Sequence, residues 1–334
     1  MKGTKSAIAG IFEISACLAC AWPASPAIAA QPEPAATYPS KPVRFLVPFV
    51  PGAGTDITTR TIAKKLFETW GQQVVADNRA GAAGAIAVEI TATATPDGYT
   101  ICLISGGHSV LSATHPNLPY DLEKDLHALS QVTTLFYVLV VHPSFPVKSV
   151  KELMAYAKAN PGKINFGSSG TGALQHLAGE LMAYKAGIKF THIPYKGGAA
   201  ALAAVMAGEI EMSFTTLLSA RPHMQSGRLR ILGITDSKRS PAVPDLPTIA
   251  EGGLPGFAAN QWYGVVTSAR VPPAIARKLS AAIVAAVNSP DVAERLMKDG
   301  STPLGTTPEQ FKAHIHAEIA RWRELVRATG LKLH

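Results

Sequence analysis

Cysteine is scarce in this sequence, with Cys17, Cys20 and Cys102 as the three among 334 residues. The first two fall within the predicted export signal described below, so a single cysteine remains after processing. One thiol cannot form an intramolecular disulfide, and the exported chain must therefore be held together by core packing. Because Cys102 lies in an apolar predicted strand, we expect it to be a buried small hydrophobe.

The motifs of common nucleotide-dependent and hydrolytic enzymes are also missing. The segment 167–172, GSSGTG, lacks the lysine of a phosphate-binding loop. The chain contains no Gly-x-Ser-x-Gly nucleophile elbow and no His-Glu-x-x-His zinc motif. His314 and His316 are two positions apart on a predicted helix and diverge, so they do not pair on a metal. We therefore predict no metal site, no cofactor and no catalytic set.

Charged residues are few, at 16%, and the formal net charge is +8. The basic residues are scattered, without a basic arm or zinc-finger spacing, so we do not expect a nucleic-acid partner. A hydrophobic content of 47% is typical of a globular chain. The length is sufficient for two domains, each with its own core.

The first 30 residues have the three parts of an export signal. Lysines begin it, an apolar stretch spans residues 7–21, and small residues provide a cleavage site after Ala29 or Ala30. Lipidation at Cys17 is the alternative, because residues 14–17 resemble a lipoprotein signal. The apolar stretch continues past Cys17, which favours cleavage. We expect the mature chain to be exported, and the resemblance described below implies a periplasmic location.

Residues 44–56, RFLVPFVPGAGTD, predict a strand, a glycine-rich turn and the start of a helix. Free N–H groups and the positive end of the helix dipole would then face one small space, as in an anion site. Residues 48–55 include no lysine or arginine, so backbone donors would have to hold the anion. The pattern recurs in residues 163–186, where a strand and the turn 168–172 precede an amphipathic helix.

Strands and helices alternate with short connections in each half of the chain, which predicts α/β sheets with parallel strands. Residues 131–141 are predicted as one strand that leaves the first unit, and residues 262–267 as a strand that returns to it. The alternation at residues 209–214 predicts a half-exposed strand. Capping boxes predict helix starts after Ser149 and Thr307.

Several single residues have two interpretations. Asp56 either stabilises a first helical turn by about 0.3–1 kcal/mol or faces a ligand. His108 and His176 follow glycine-rich segments and serve either as polar caps or as ligand contacts. Ser168 or Ser169 beside His176 would be the nucleophile of an exported enzyme, although helix capping or ligand binding is the interpretation we favour.

Thirteen short motifs occur in order along the mature chain. They are YPxKPVR at 38–44, VPFxPG at 47–52, GQxVV at 71–75, NRxG at 78–81, PDGYT at 96–100, LPYD at 118–121, AKANPGK at 157–163, SSGxG at 168–172, HLAGE at 176–180, HxPYKG at 192–197, GRLR at 227–230, LPTIAE at 246–251 and WxG at 262–264. In these motifs the chain resembles the Bug family of extracytoplasmic solute receptors, which serve tripartite tricarboxylate transporters.

The resemblance implies a type II periplasmic binding protein fold, or Venus flytrap, with two mixed sheets flanked by helices and crossing strands at the hinge. Domain 1 would comprise residues 38–137 plus 262–334, and domain 2 residues 138–261, after a signal peptide at 1–30. The family implies a small carboxylate ligand, held between the domains partly by backbone N–H groups and ordered waters. The expected partners are this ligand and the membrane components of the transporter, and we expect a monomer.

Carried over by position, the resemblance implies ligand contacts from residues 49–55 of the first domain, faced by residues 168–172 and by the loop after Phe214. Together with the candidates named above, the predicted ligand-binding residues are Phe49, Val50, Gly52, Ala53, Gly54, Thr55, Asp56, Gly107, His108, Ser168, Ser169, Gly170, Thr171, Gly172, His176 and Thr215. The family often has an acid where this chain has Thr215, and commonly proline at Val50 and glycine at Ala53. Because Thr215 replaces this acid, we predict that ligands with an ammonium group are disfavoured. Asp56 is the acid that could take its place and pair with such a group.

Binding without an ion pair is physically reasonable. Micromolar affinity needs about 8 kcal/mol, and one helix dipole supplies at most about 2 kcal/mol. Charge-assisted hydrogen bonds supply about 1.5–3 kcal/mol each, so several from both domains would suffice. An exported enzyme on the same fold and a sensory receptor for a signalling partner are the alternatives that the sequence leaves open.

Overall fold

The computed structural model describes residues 35–49, 51–52, 54–195, 197–298 and 300–330. The predicted export signal with Cys17, and the predicted site residues Val50 and Ala53, lie outside these ranges. The strands of the described residues are β1 (Val43–Val47), β2 (Val74–Asn78), β3 (Thr100–Ser105), β4 (Leu126–Leu135), β5 (Tyr137–Val141), β6 (Asn165–Ser168), β7 (Thr191–Pro194), β8 (Met212–Thr216), β9 (Arg230–Ile234), β10 (Gln261–Ser268) and β11 (Thr302–Pro303).

Helices separate most of these strands. They are α1 (Gly54–Trp70), α2 (Ala85–Thr93), α3 (Gly106–Thr114), α4 (Val150–Ala159), α5 (Leu174–Ala186), α6 (Gly198–Ala207), α7 (Leu217–Gln225), α8 (Pro273–Asn288), α9 (Pro290–Lys298) and α10 (Pro308–Thr329), with a short 3-10 helix at Ala82–Gly84. None of the helices in the described ranges is both long and apolar enough to cross a membrane.

The strands form two mixed sheets, which confirms the predicted fold class. The first sheet has the order β11-β4-β10-β3-β1-β2, with β1 parallel to β2 and β3, and β10 antiparallel to β3 and β4. The second has the order β7-β6-β8-β5-β9, with β6 parallel to β7 and β8, and β5 antiparallel to β8 and β9.

The chain changes sheets at Phe136, which corrects the prediction of one strand over residues 131–141. β4 pairs in the first sheet as far as Leu135, opposite Gln261. β5 begins at Tyr137, opposite Thr216 of the second sheet. The apolar sequence is continuous because both strands are buried, so hydropathy alone does not mark the crossing. The chain returns to the first sheet as β10, as predicted.

Helices cover both faces of each sheet. In the first sheet, one core contains residues of α1, α8 and α9 and the other contains residues of α2 and α10. In the second, α4 and α5 lie on one face and α6 and α7 on the other. This burial corrects the second half of the half-exposed strand predicted at residues 209–214. Glu209 is exposed and Glu211 half-buried, as the alternation predicts, but both precede β8. Residues Met212 to Thr215 are all buried, and the Ser213 hydroxyl donates to the Gly167 carbonyl at 2.9 Å.

The C-terminal helix α10 contributes side chains to the cores of both sheets. Trp322 belongs to the core beneath α5, whereas Phe311 packs beside Trp262 in the core of the first sheet. Glu318 accepts hydrogen bonds from Nε1 of both Trp262 and Trp322, each at 3.3 Å. One buried carboxylate therefore joins an indole of each core. The predicted capping box at Thr307 is present, with Gln310 N donating to Thr307 Oγ1 at 3.2 Å.

Candidate functional site

A cavity of about 710 Å³ lies where strand ends of the two sheets face each other. The first sheet contributes the start of α1, the end of β3 with the start of α3, and the start of β10. The second contributes Tyr137 at the start of β5 and the segment after β6. The cavity therefore lies beside the strands that cross between the sheets.

Thr55, in the first turn of α1, is the most informative polar residue of the cavity wall. It lines the cavity although it is 3% exposed, and its Oγ1 has no hydrogen-bond partner among the described residues. A buried hydroxyl without a partner costs about 1–3 kcal/mol. Because the first N–H groups of α1 also lack helical partners, Thr55 and these groups together form a donor cluster suited to an anion.

Asp56 braces the turn before α1 instead of facing the cavity. Its carboxylate accepts from Gly52 N at 2.9 Å, from Arg60 Nε at 2.9 Å and from Asn78 Nδ2 at 3.0 Å. Burial alone would raise the pKa of Asp56, but the hydrogen bonds from Arg60, Gly52 and Asn78 and the charge of Arg60 together lower it. Asn78 Nδ2 also donates to the Phe49 carbonyl at 3.0 Å, so the network holds the first wall of the cavity in place.

The wall from the second sheet differs from the expectation for residues 168–172. The N–H groups of Ser169, Gly170 and Gly172 already donate, to Gln175 Oε1 at 3.2 Å, Ser168 Oγ at 3.1 Å and His176 Nδ1 at 3.1 Å. These donors hold the loop in shape and are not available to a ligand. The free donors lie one turn later, because α5 starts after Ala173, which provides no side-chain cap. Ala173, Leu174 and Gln175 line the cavity.

The crossing strands add Tyr137, Gln261 and Tyr263 to the cavity wall, none of which the sequence indicated. The pKa of Tyr137 is raised, mainly by burial and to a smaller extent by the neighbouring Tyr263. A hydrogen bond with Gln261 acts in the opposite direction and is outweighed. Burial raises the pKa of Tyr263 to about 12. Both phenols therefore remain neutral hydrogen-bond donors at neutral pH.

A strained turn borders the cavity on the first sheet's side. Gly81, Ala82, Ala83 and Gly84 all have positive φ, and the two alanines, at 45° and 53°, line the cavity. Left-handed backbone costs a residue with a Cβ about 1–2 kcal/mol. A Cβ on Gly84 would lie 2.6 Å from His108 Nε2, so this position requires glycine.

The remainder of the cavity wall is mostly apolar. Its apolar side chains include Ile86, Val110, Leu111, Leu118 and Pro119. Glu89 is the one acidic residue among the described residues that line the cavity, and lysine and arginine do not occur among them. An acid therefore does face the ligand space, which removes the basis for predicting that ammonium groups are disfavoured.

The predicted site residues divide into two groups. Those that line the cavity are Phe49, Gly54, Thr55, Gly107, Ser169, Gly170, Thr171 and Gly172. Those that lie outside its walls are Gly52, Asp56, His108, Ser168, His176 and Thr215. Thr215 pairs across the sheet with Val138, which packs against α6 and α7, so its side chain faces away from Tyr137 and the cavity.

His108 is a fully buried cap at the start of α3, which is one of the two roles that the sequence left open. Its Nδ1 accepts from Ser105 N at 3.0 Å. Burial lowers the pKa of His108 to about 4, against smaller effects of the backbone at Ser105 and Gly84. The imidazole is therefore neutral and supports the strained turn from beneath.

The serine–histidine pair of the enzyme alternative is not formed. Ser168 is fully buried, and its Oγ contacts His192 Nε2 at 2.7 Å rather than His176. The two imidazoles stack with ring centroids 3.7 Å apart, and His176 Nε2 lies 3.6 Å from Glu180. These groups support the loop from behind. Ser169 does line the cavity, but His176 Nδ1 accepts from Gly172 N and His176 Nε2 lies beside Glu180, so the described contacts of His176 do not include Ser169. Across the described residues, no cluster of histidine, cysteine and acidic side chains suits a metal ion.

Comparison with known proteins places this architecture in a family. The model of the tripartite tricarboxylate transporter family receptor matches residues 58–331. Protein BugT of Bordetella pertussis is 38% identical over 306 residues, which cover 91% of this chain and 94% of that protein.

Solved structures agree with this assignment. An R. palustris protein described with adipate is 33% identical, with a TM-score of 0.76 over 88% of this chain and 99% of that one. MatC from Rhodopseudomonas palustris with bound malate is 30% identical, with a TM-score of 0.72 over 86% of this chain and 100% of that one. The chain therefore belongs to the Bug, or tripartite tricarboxylate transporter receptor, family of solute-binding proteins.

Proposed function

We propose that this protein is a periplasmic receptor that binds a small organic acid in the cavity and delivers it to a tripartite tricarboxylate transporter. The observation that carries the proposal is the buried, unpartnered hydroxyl of Thr55 at the start of α1, inside a cavity of about 710 Å³. A carboxylate oxygen is an acceptor that such a donor cluster would hold well.

The proposed carboxylate contacts come from three places. Thr55 Oγ1 and the first N–H groups of α1 form one, and the uncapped first turn of α5 forms the second. Tyr137 and Tyr263 of the crossing strands supply neutral donors as the third. Charge-assisted hydrogen bonds contribute about 1.5–3 kcal/mol each, so four contribute about 6–12 kcal/mol, against the roughly 8 kcal/mol of micromolar binding. Bonds in the upper part of this range are needed to offset the cost of ordering the ligand and the loops as well.

Adipate and malate, which accompany two of the related structures, are both carboxylates and support this ligand class. We further propose that residues 38–137 plus 262–334 and residues 138–261 act as two domains that close on the ligand. Opposed donors from α1 and α5 would then make closure and binding one event. We also propose that the protein acts as a monomer and that it binds the acid without catalytic turnover.

Titration calorimetry with a panel of mono-, di- and tricarboxylates, with small-angle scattering on the same samples, tests the proposal. We expect at least one acid to bind with micromolar or tighter affinity and to reduce the radius of gyration. The acid should be recovered chemically unchanged. Absence of binding across the panel, or conversion of the acid to a product, would overturn the proposal.

A further inference from the structure

The two ends of the cavity differ in electrostatic character. The first turns of α1, α3 and α5 each contribute to the cavity wall, through Thr55, Gly107 and Leu174, and the part of the cavity that they line is called the inner end below. Helix N-termini carry partial positive charge and free N–H groups. A carboxylate would therefore bind at the inner end. Both the proposed function and the selectivity proposed below depend on this placement.

The cavity continues along the whole length of α3. Its lining residues on this helix run from Gly107 through Leu111 to Thr114, with His115 at the end of the helix. Eight residues of helix correspond to about 12 Å. The outer end therefore lies beside the C-terminus of α3, where the partial charge of the helix is negative.

Glu89 adds a full negative charge to the cavity wall. After burial and Cys102, the charge of Glu89 contributes to the raised pKa of Tyr120, which follows the end of α3, so Glu89 lies toward the outer part of the wall. It follows Ile86 by three positions on α2, so both lie on the helix face that borders the cavity. Among the described residues that line the cavity, no lysine or arginine offsets this charge. The wall between the two ends is apolar, with Ile86, Leu111 and Leu118.

We propose that this receptor selects monocarboxylates with an apolar body and discriminates against dicarboxylates long enough to reach the outer end. A first carboxylate lies at the helix N-termini and an apolar chain or ring fills the middle. A second carboxylate would meet Glu89 and the C-terminus of α3, both negative. An uncharged end, or one that carries a hydrogen-bond donor, suits Glu89.

Hexanoate and adipate form a matched pair for the test, because they share a six-carbon chain and differ in the second carboxylate. Calorimetry on the full protein compares both acids in the wild type and in Glu89→Gln, which removes the charge and keeps the shape. Glu324→Gln, on the exposed side of α10, makes the same change in net charge away from the cavity and serves as the control.

We expect the wild type to bind hexanoate at least about three-fold more tightly than adipate. Glu89→Gln should tighten adipate binding by about three- to ten-fold, a range that allows for screening at this exposed side chain, and should leave hexanoate within about two-fold. Glu324→Gln should change neither. Equal affinities in the wild type, or an adipate affinity that Glu89→Gln leaves unchanged, would overturn the inference while leaving the carboxylate receptor intact. Binding of neither these acids nor any other carboxylate would overturn the proposed function as well.

Discussion

Replacing Thr55 by valine should weaken ligand binding without harming the empty protein. Valine keeps the shape of threonine and removes the hydroxyl, which in the described residues has no partner. If Thr55 Oγ1 donates to the ligand carboxylate, its loss removes one charge-assisted hydrogen bond of about 1.5–3 kcal/mol. At 1.4 kcal/mol per factor of ten, affinity should fall by about ten- to hundred-fold.

The stability of the ligand-free protein should not fall with the affinity. Removing a buried hydroxyl that lacks a partner relieves a cost of about 1–3 kcal/mol, so the free energy of unfolding should stay level or rise. Thr59→Val is a matched control, because Thr59 lies one turn further along α1, is fully buried and also has an unpartnered Oγ1, but does not line the cavity. It should affect stability in the same way and leave binding unchanged.

Calorimetric titration with the tightest-binding acid and chemical denaturation of the empty protein measure the two quantities. The reasoning fails if Thr55→Val binds the acid as tightly as wild type. It also fails if Thr55→Val and Thr59→Val weaken binding equally, because the effect would then come from α1 as a whole and not from a ligand contact.

Three further predictions concern the support of the site and the fold. Burial lowers the pKa of His108 to about 4 from 6.5, so its stabilising effect is complete above pH 6.5 and is lost as the pH falls toward 4. The loss should approach about 3 kcal/mol in the free energy of unfolding. In His108→Gln, which keeps a capping side chain, this part of the pH dependence should disappear from denaturation curves, and an unchanged pH profile would refute the assignment. Glu318→Ala should destabilise by about 2–4 kcal/mol, because two indole N–H groups and Arg321 lose their shared acceptor. Glu318→Gln should lower the free energy of unfolding by about half as much as Glu318→Ala. If thermal melts show equal destabilisation in the two variants, the negative charge of Glu318 has no stabilising role. Gly264→Ala should destabilise by at least about 1–3 kcal/mol, because the new Cβ would lie 2.1 Å from Phe311. A melting temperature equal to that of wild type would show that α10 can shift.

Local signals in the sequence were sufficient to predict where many of the helices and strands lie. The helix starts predicted after Ser149 and Thr307 are those of α4 and α10, since capping residues mark these ends. The strand–turn–helix pattern likewise located the start of α1, with Thr55 at the cavity wall. These features depend on residues a few positions apart, which periodicity and capping rules describe well.

Features that depend on distant partners were not predictable in this way. Tyr137 and Tyr263 are 126 positions apart in the chain and reach one cavity because two strands cross between the sheets. A glycine-rich turn indicates that N–H groups are exposed locally, but not that His176 and Gln175 accept from them. Glu89 has the appearance of an ordinary exposed helix residue until α2 is placed beside the cavity.

The central claim is that a carboxylate is held by helix N-termini from both sheets, without a cationic side chain. A crystal structure of the protein with its tightest-binding acid tests this most directly. We expect one carboxylate oxygen at about 2.6–3.0 Å from Thr55 Oγ1 and the other within hydrogen-bond distance of the first-turn N–H groups of α5. A carboxylate paired instead with a lysine or arginine, or located outside the cavity, would contradict the claim.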